Sequence, residues 1–338
     1  MKVLEQIDDM PVKEASPKIR VLFVSSGNSD KFKIAPFIQE QGDSLVKENI
    51  EVKYFTIKGK GIAGYLKNIR ELRGYVKSNS FDVIHAHFTL TAWVVVLSRL
   101  KLPIVISLMG TDAFGRISRG GNPFRGKHLT FLTILIQMFV NTIISKSANI
   151  EKYVWMKNKS VILPNGVDLE KFDGKRTDYR EELGMNPEKK HVLFLGNPSD
   201  VNKNFQLLDA IRDKLRLKGI EILNPYPVSH DKVPKYLSSA DILVMCSLQE
   251  GSPNIVKEAM ASNCRGVFTD VGDVRQLIDG AEGYEICRWD PEDLERAIAK
   301  VDAMKNCSGR NKLIELELDV ASVAKKLRAI YESHLDIL

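Results

Sequence analysis

Short apolar runs rich in Val and Ile alternate with segments of helical periodicity along most of the chain, and they do so in two successive sets. The first set is RVLFVSS (20–26), EVKYFTI (51–57), DVIHAH (82–87), PIVISL (103–108), TIIS (142–145) and SVIL (160–163), with helical patterns between, as at 34–48 and 64–77. Each run has the length of a strand buried on both faces, which parallel sheets require because crossover helices cover them. The second set starts at HVLFLG (191–196) and continues through IEIL (220–223), DILVMC (241–246) and GVFTD (266–270), with helices predicted at 203–217, 231–239, 254–262, 291–304 and 320–335. The expectation is α/β: two Rossmann-like doubly wound domains facing a central cleft, a ligand lying where the strands' carboxyl ends meet. A length of 338 residues suits two cores. The expected division is a loose tail over 1–16, a first domain over 17–165 and a second over 166–321.

The four cysteines, Cys246, Cys264, Cys287 and Cys307, form no C-x-x-C pair, which argues against a zinc knuckle and for a reducing compartment. The longest uncharged stretch, Leu129 to Ser145, falls short of the ~20 residues a bilayer span needs. A cytoplasmic chain is expected. Charge is unevenly shared: residues 1–165 hold 24 Lys+Arg against 13 Asp+Glu, residues 166–338 hold 25 against 30. A basic half beside an acidic one points to an anionic surface or substrate handled by the first half, nucleic acid and the anionic face of a membrane being two such surfaces. Helices over 65–77 and 129–140, flanked by Lys and Arg, could lie on such a membrane or pack into the core.

The segment CSLQEGSPNIVKEAMAS (246–262) reads as strand end, tight turn and helix start. Pro253 is tolerated in a first turn, where its missing N–H would be unpaired anyway. Free N–H groups and the positive end of the helix dipole suit a diphosphate or sugar hydroxyls. Glu250 precedes the turn and Glu258 follows two helical turns into the segment, both able to accept hydrogen bonds from hydroxyls. His85 and His87 share one strand face; a metal reading needs a third ligand and has only Asp82 near in sequence, so no metal is expected. Gly59-Lys60-Gly61-Ile62-Ala63-Gly64 fits G-x-G-x-x-G but follows the second strand rather than the first, which favours a loop over a dinucleotide site.

With Glu250 and Glu258 spaced as E-x7-E, Glu258 opening EAMA (258–261), the chain resembles the retaining nucleotide-sugar glycosyltransferases of family 4, whose fold is GT-B. PNGVD (164–168) with Phe172, SADILVMCS (239–247) and TDVGD (269–273) extend the likeness, and HAHF (85–88) and MGTD (109–112) match acceptor-domain motifs more loosely. The resemblance implies a metal-independent transfer of a sugar, with no cofactor besides a UDP or GDP sugar donor. It also implies a C-terminal helix, 322–338, crossing back to the first domain.

Residue roles follow from the same likeness. Glu250 would hold the donor sugar and Glu258 the ribose, with Gly251, Ser252, Pro253, Asn254 and Ile255 at the diphosphate and Val228 at the base. Lys203, Asn197 and Gly27 would stabilise the leaving diphosphate, and His85, His87, Met109, Gly110 and Asp112 would line the sugar and acceptor side. Two positions depart from the family pattern. Asn197 stands where Arg is usual, an amide without charge or fork, and Met109 stands where His is usual. The implied acceptor is a glycan or lipid-linked glycan, with no nucleic acid partner and an anionic membrane as a further surface. A nucleotide-sugar hydrolase or epimerase of the same fold, or a catalytically silent partner subunit, are the alternative readings.

Overall fold

In a computed structural model, residues 18–335 are described apart from 30, 31, 60 and 116–123. The predicted tail over 1–16 and the basic residues Arg116 and Arg119 lie outside the described residues.

The first domain runs β1 (Ile19–Ser26), α1 (Pro36–Val46), β2 (Ile50–Ile57), α2 (Gly61–Lys77), β3 (Val83–His87), α3 (Thr89–Leu97), β4 (Ile104–Leu108), α4 (Thr111–Phe114), α5 (Phe124–Ile136), β5 (Thr142–Ser145), α6 (Ala148–Glu151) and β6 (Ser160–Ile162). The second runs β7 (Lys190–Leu193), α7 (Phe205–Asp209), α8 (Arg212–Leu217), β8 (Ile220–Leu223), α9 (Val233–Ser239), β9 (Ile242–Met245), α10 (Asn254–Ala261), β10 (Arg265–Thr269), α11 (Val274–Ile278), β11 (Tyr284–Cys287), α12 (Pro291–Ala303) and α13 (Gly309–Glu315). Then α14 (Val320–Glu332) leads back. The strands form a six-stranded parallel sheet, order β2-β1-β3-β4-β5-β6, and a five-stranded one, order β11-β10-β9-β7-β8. The helix expected over 203–217 is two, α7 and α8, and β11 is a strand that the sequence reading passed over.

Burial on both faces explains the continuous apolar runs. In β1, Leu22 and Val24 join the core under α2, α3 and α5, while Val21 and Phe23 join the opposite core under α1 and α14. In β9, Leu243 and Met245 face the α10 side, and Ile242 and Val244 face α7, α8 and α12. Leu72 of α2 is fully buried, and Ile69 and Val76 pack against the same core, so this helix spends most of its apolar face on folding. Arg73, one of the cations of this helix, donates to the carbonyls of Ser98 and Leu97 (2.8 and 3.1 Å).

The chain crosses back at paired linkers, where the Val167 N–H donates to Leu318 O (2.9 Å) and Val320 N–H to Val167 O (3.1 Å). Asp319 caps α14 through the Ser322 N–H (2.9 Å). The helix then delivers Tyr331, wholly buried, to the first sheet, where its hydroxyl bonds His85 Nδ1 (2.7 Å); Ser107 Oγ holds Nε2 (2.8 Å). Tyr331→Phe should lower unfolding stability by about 1–2 kcal/mol, since it leaves a buried ring nitrogen unpaired. In urea the midpoint should fall with an unchanged slope; an unchanged midpoint would show that the contact adds nothing.

Candidate active site

In each sheet the chain moves outward in opposite directions from one point, and loops on the two sides of that point leave a crevice. In the second sheet this point lies between β7 and β9. The loop after β7 carries Lys203 and the loop after β9 carries Glu250, and their side chains form an ion pair of 2.6 Å, with Glu250 less exposed than Lys203. Asn202 ties the same two loops together: its side chain donates to Gln249 O (2.9 Å) and its carbonyl accepts the Leu248 N–H (2.8 Å). A cavity of about 280 Å³ opens beside the pair, walled by Asp200, Asn202, Lys203, Gln249, Glu250 and Gly251 from the second domain and by Met109, Thr111 and Phe114 from the first. Asn149 of the first domain donates to Glu250 O (3.0 Å), which fixes the loop across the cleft.

The helix α10 begins at Asn254 with Pro253 in the cap position and extended backbone; the Val256 N–H donates to Pro253 O (3.2 Å), and the N–H groups of Asn254 and Ile255 have no carbonyl a turn earlier in the helix to meet. Asn165 Nδ2 reaches Asn254 Oδ1 at 3.5 Å. Ser252 Oγ accepts from Lys257 Nζ (3.2 Å), which also donates to Asn165 O (2.6 Å). Lys257 is fully buried, and burial pushes its pKa down to about 8. Ile255 and Val228 are half-buried against the second-domain core.

Glu258 does not share the cavity of Glu250. Its Oε1 meets His230 Nε2 (3.1 Å), and His230 Nδ1 meets Lys171 Nζ (2.8 Å). The hydrogen bond to Glu258 raises the His230 pKa above its ordinary value. Both His230 and Lys171 border a larger hollow of about 410 Å³, whose other wall is α1 with Glu40 and Asp43, and Lys47 just beyond its end. The sequence reading missed His230, Lys171 and Lys257; a Lys inside the E-x7-E interval, on a face otherwise apolar, was the one available signal.

Several expected site residues serve other purposes. His85 and His87 do share a strand face, stacked with ring centroids 4.3 Å apart, but it is the face under α1 and α14, not the cleft. Both are buried, and burial holds both imidazoles well below the ordinary histidine range. Asp112 is fully buried and staples its own loop, accepting the N–H groups of Met109 (2.8 Å) and Thr89 (3.1 Å); burial raises its pKa to about 6. It does not line the cavity, whereas Met109 does, and Gly110 lies against Gly251. Asn197 accepts the Ser199 N–H (3.0 Å) in its own turn and is not a wall of the cavity. Gly27, likewise outside the wall, donates its N–H to Ile57 O (2.9 Å). The G-x-G-x-x-G segment is held by Asn28, which bonds both the N–H and the carbonyl of Gly59 (2.8 and 2.9 Å). Among the described residues no cluster of three His, Cys, Asp or Glu could hold a metal ion.

Residues 18–171 match the model described as Glycosyltransferase Family 4, and residues 185–302 the model described as Glycosyl transferases group 1. The chain belongs to the family 4 glycosyltransferases. It is 26% identical over 244 residues to TuaC of Bacillus subtilis, a glycosyltransferase named for teichuronic acid biosynthesis; the match covers 65% of this chain and 61% of that relative's length. Sucrose-phosphate synthase of Thermosynechococcus elongatus superposes with a TM-score of 0.76 at 15% identity, over 95% of this chain and all of that one. HepE of Anabaena in complex with UDP and glucose superposes at 0.70 and 13% identity, over 93% of this chain and all of that one. The fold is GT-B, with α14 packed on α1 as the family expectation required.

Proposed function

We propose that this family 4 member is a metal-independent, retaining transferase that moves a sugar from a UDP or GDP donor to a hydroxyl of a glycan or lipid-linked glycan. The Lys203–Glu250 pair at the wall of the interdomain cavity carries the reading. In this reading residues 166–321 hold the donor, and residues 17–165 with 322–338 hold the acceptor. Lys203 and the free N–H groups at the start of α10 meet the negative charge that develops on the leaving diphosphate. Glu250 accepts hydrogen bonds from the donor sugar, and Glu258, oriented by His230, accepts from the ribose.

Of the acidic side chains in the cavity wall, Glu250 is paired with Lys203 and Asp200 accepts the Asn202 N–H (3.0 Å). Both carboxylates are thus engaged in holding their loops, and the family resemblance implies that the departing phosphate oxygen takes the acceptor proton as the acceptor oxygen bonds to the anomeric carbon and the carbon–phosphate-oxygen bond breaks. The UDP in HepE supports a uridine donor, and the likeness to TuaC supports a polysaccharide acceptor.

The test is nucleoside diphosphate release from UDP and GDP sugars with and without cell-wall polysaccharide or lipid-linked glycan, the product's anomeric configuration being read by NMR. Release should depend on acceptor and give a retained configuration. Release without acceptor would assign a hydrolase instead; nucleotide binding without turnover on any donor would assign a silent subunit.

A further inference from the structure

We propose that the outer face of the α2/α3/α5 layer is a docking surface for an anionic lipid bilayer, seated on apolar side chains of α5 and the turn that follows it. The apolar sequence over 129–140 divides by burial. Ile136 and Val140 enter the core, while Phe131, Ile134, Met138 and Phe139 stand 41–62% exposed. Trp155, 54% exposed, joins them through its indole N–H, which donates to Ile134 O (2.9 Å). Trp93 of α3 packs on Phe139 with ring centroids 5.7 Å apart and donates to Leu132 O (3.2 Å), so the patch is held rigidly. Leu97 at the end of α3 and Leu66 on α2 are exposed on the same helical layer. Monomeric surfaces rarely leave this many large apolar side chains adjacent without a partner, and an indole at the rim suits the bilayer interface.

Charge selects the occupant. Residues 61–162 contain 14 Lys+Arg, of which Lys146 is buried, and only four acids, Glu71, Asp82, Asp112 and Glu151. Asp82 is paired with Arg20, Asp112 is buried and Glu151 is paired with Lys157, so Glu71 is the acid left to offset the cations. Lys67, Arg70, Lys101 and Lys152 are exposed, and among the described residues none has an ion-pair partner. A second copy meeting this face with its own would set like charges together, whereas an anionic leaflet attracts each exposed Lys or Arg. No helix among the described residues is long and apolar enough to cross a membrane, so the contact is with one leaflet.

The face also adjoins the cavity. Phe114 lines the cavity wall, and its ring lies 6.3 Å from that of Tyr153, two residues before Trp155. A chain docked here presents its acceptor side to the lipid surface. The inference deepens the lipid-linked part of the acceptor reading and rests on it, so donor binding is measured alongside to keep the two separable.

The test is co-sedimentation with vesicles of phosphatidylcholine alone and of phosphatidylcholine mixed with phosphatidylglycerol, at low and high salt. Two variants accompany the full chain: F131S/M138S/F139S and K67Q/R70Q/K101Q/K152Q. Binding to the mixed vesicles is expected to fall by at least about tenfold in each variant and to weaken with salt as the Debye length shortens. UDP and GDP binding by calorimetry should be unchanged in both, which also shows that they fold. Pelleting that is absent, equal on neutral vesicles or indifferent to both variants would overturn the proposal. So would a dimer, seen by light scattering, that the apolar variant dissolves without any vesicle binding. Vesicle binding with no nucleotide binding would leave this surface standing and remove the donor reading instead.

Discussion

Glu250→Ala is expected to lower sugar transfer at saturating donor by at least about a hundredfold, the range seen when one preorganised electrostatic contact is removed from a transition state. The carboxylate is both a wall of the interdomain cavity and the counter-ion of Lys203 at 2.6 Å. In the proposed function its loss removes an acceptor for sugar hydroxyls and frees the ammonium to move. Stability should change by less than about 1 kcal/mol, because the pair is partly solvated and such pairs contribute little to folding. Glu250→Gln keeps the shape and one acceptor oxygen but not the charge, so it should fall between wild type and alanine. Lys203→Ala should also be slow, and the double variant should be little slower than the worse single one, as for groups that act together. Near wild-type turnover in purified Glu250→Ala would remove Glu250 from the site.

Gly272→Ala should be strongly damaging, because it combines a left-handed backbone with a clash against main chain. The residue sits at φ +65°, a conformation costing a residue with a Cβ roughly 1–2 kcal/mol, and that Cβ would lie 2.4 Å from Gly251 O, a backbone atom that cannot swing aside. Gly280 supplies the control: its φ is +73°, yet nothing lies within 4 Å of its would-be Cβ. Gly280→Ala should therefore cost only the backbone share, about 1 kcal/mol. Gly272→Ala should cost roughly 2–4 kcal/mol and also weaken donor binding, because the clash pushes directly on the loop that carries Glu250. Thermal unfolding and nucleotide calorimetry on the two variants decide the matter. Equal losses of stability, with donor affinity intact in both, would mean that the turn after β10 does not brace the donor loop.

The sequence by itself determined the architecture. Val- and Ile-rich runs separated by helical periodicity can bury both faces only as parallel strands under helices, and the six- and five-stranded sheets have that form. It also placed Glu250 at a turn before α10, since Pro253 and the apolar pattern after it mark a helix start. What tertiary structure alone decided was facing and partnership. A period of two puts His85 and His87 on one side of β3, but when helices cover both sides the period does not say which. The docking of Tyr331, 246 residues away from His85, settled that in favour of the core. The same holds for α5, where apolar residues around much of the helix gave no outward face until the sheet claimed Ile136 and left Phe131 and Ile134 exposed. Lys203 and Glu250 lie 47 positions apart and meet because β7 and β9 are neighbours in the sheet. His230 reaches Glu258 by a loop whose path no local pattern encodes. Periodicity is a property of neighbouring residues, whereas a site is made by strand order and domain closure, which are set by contacts distant in the chain.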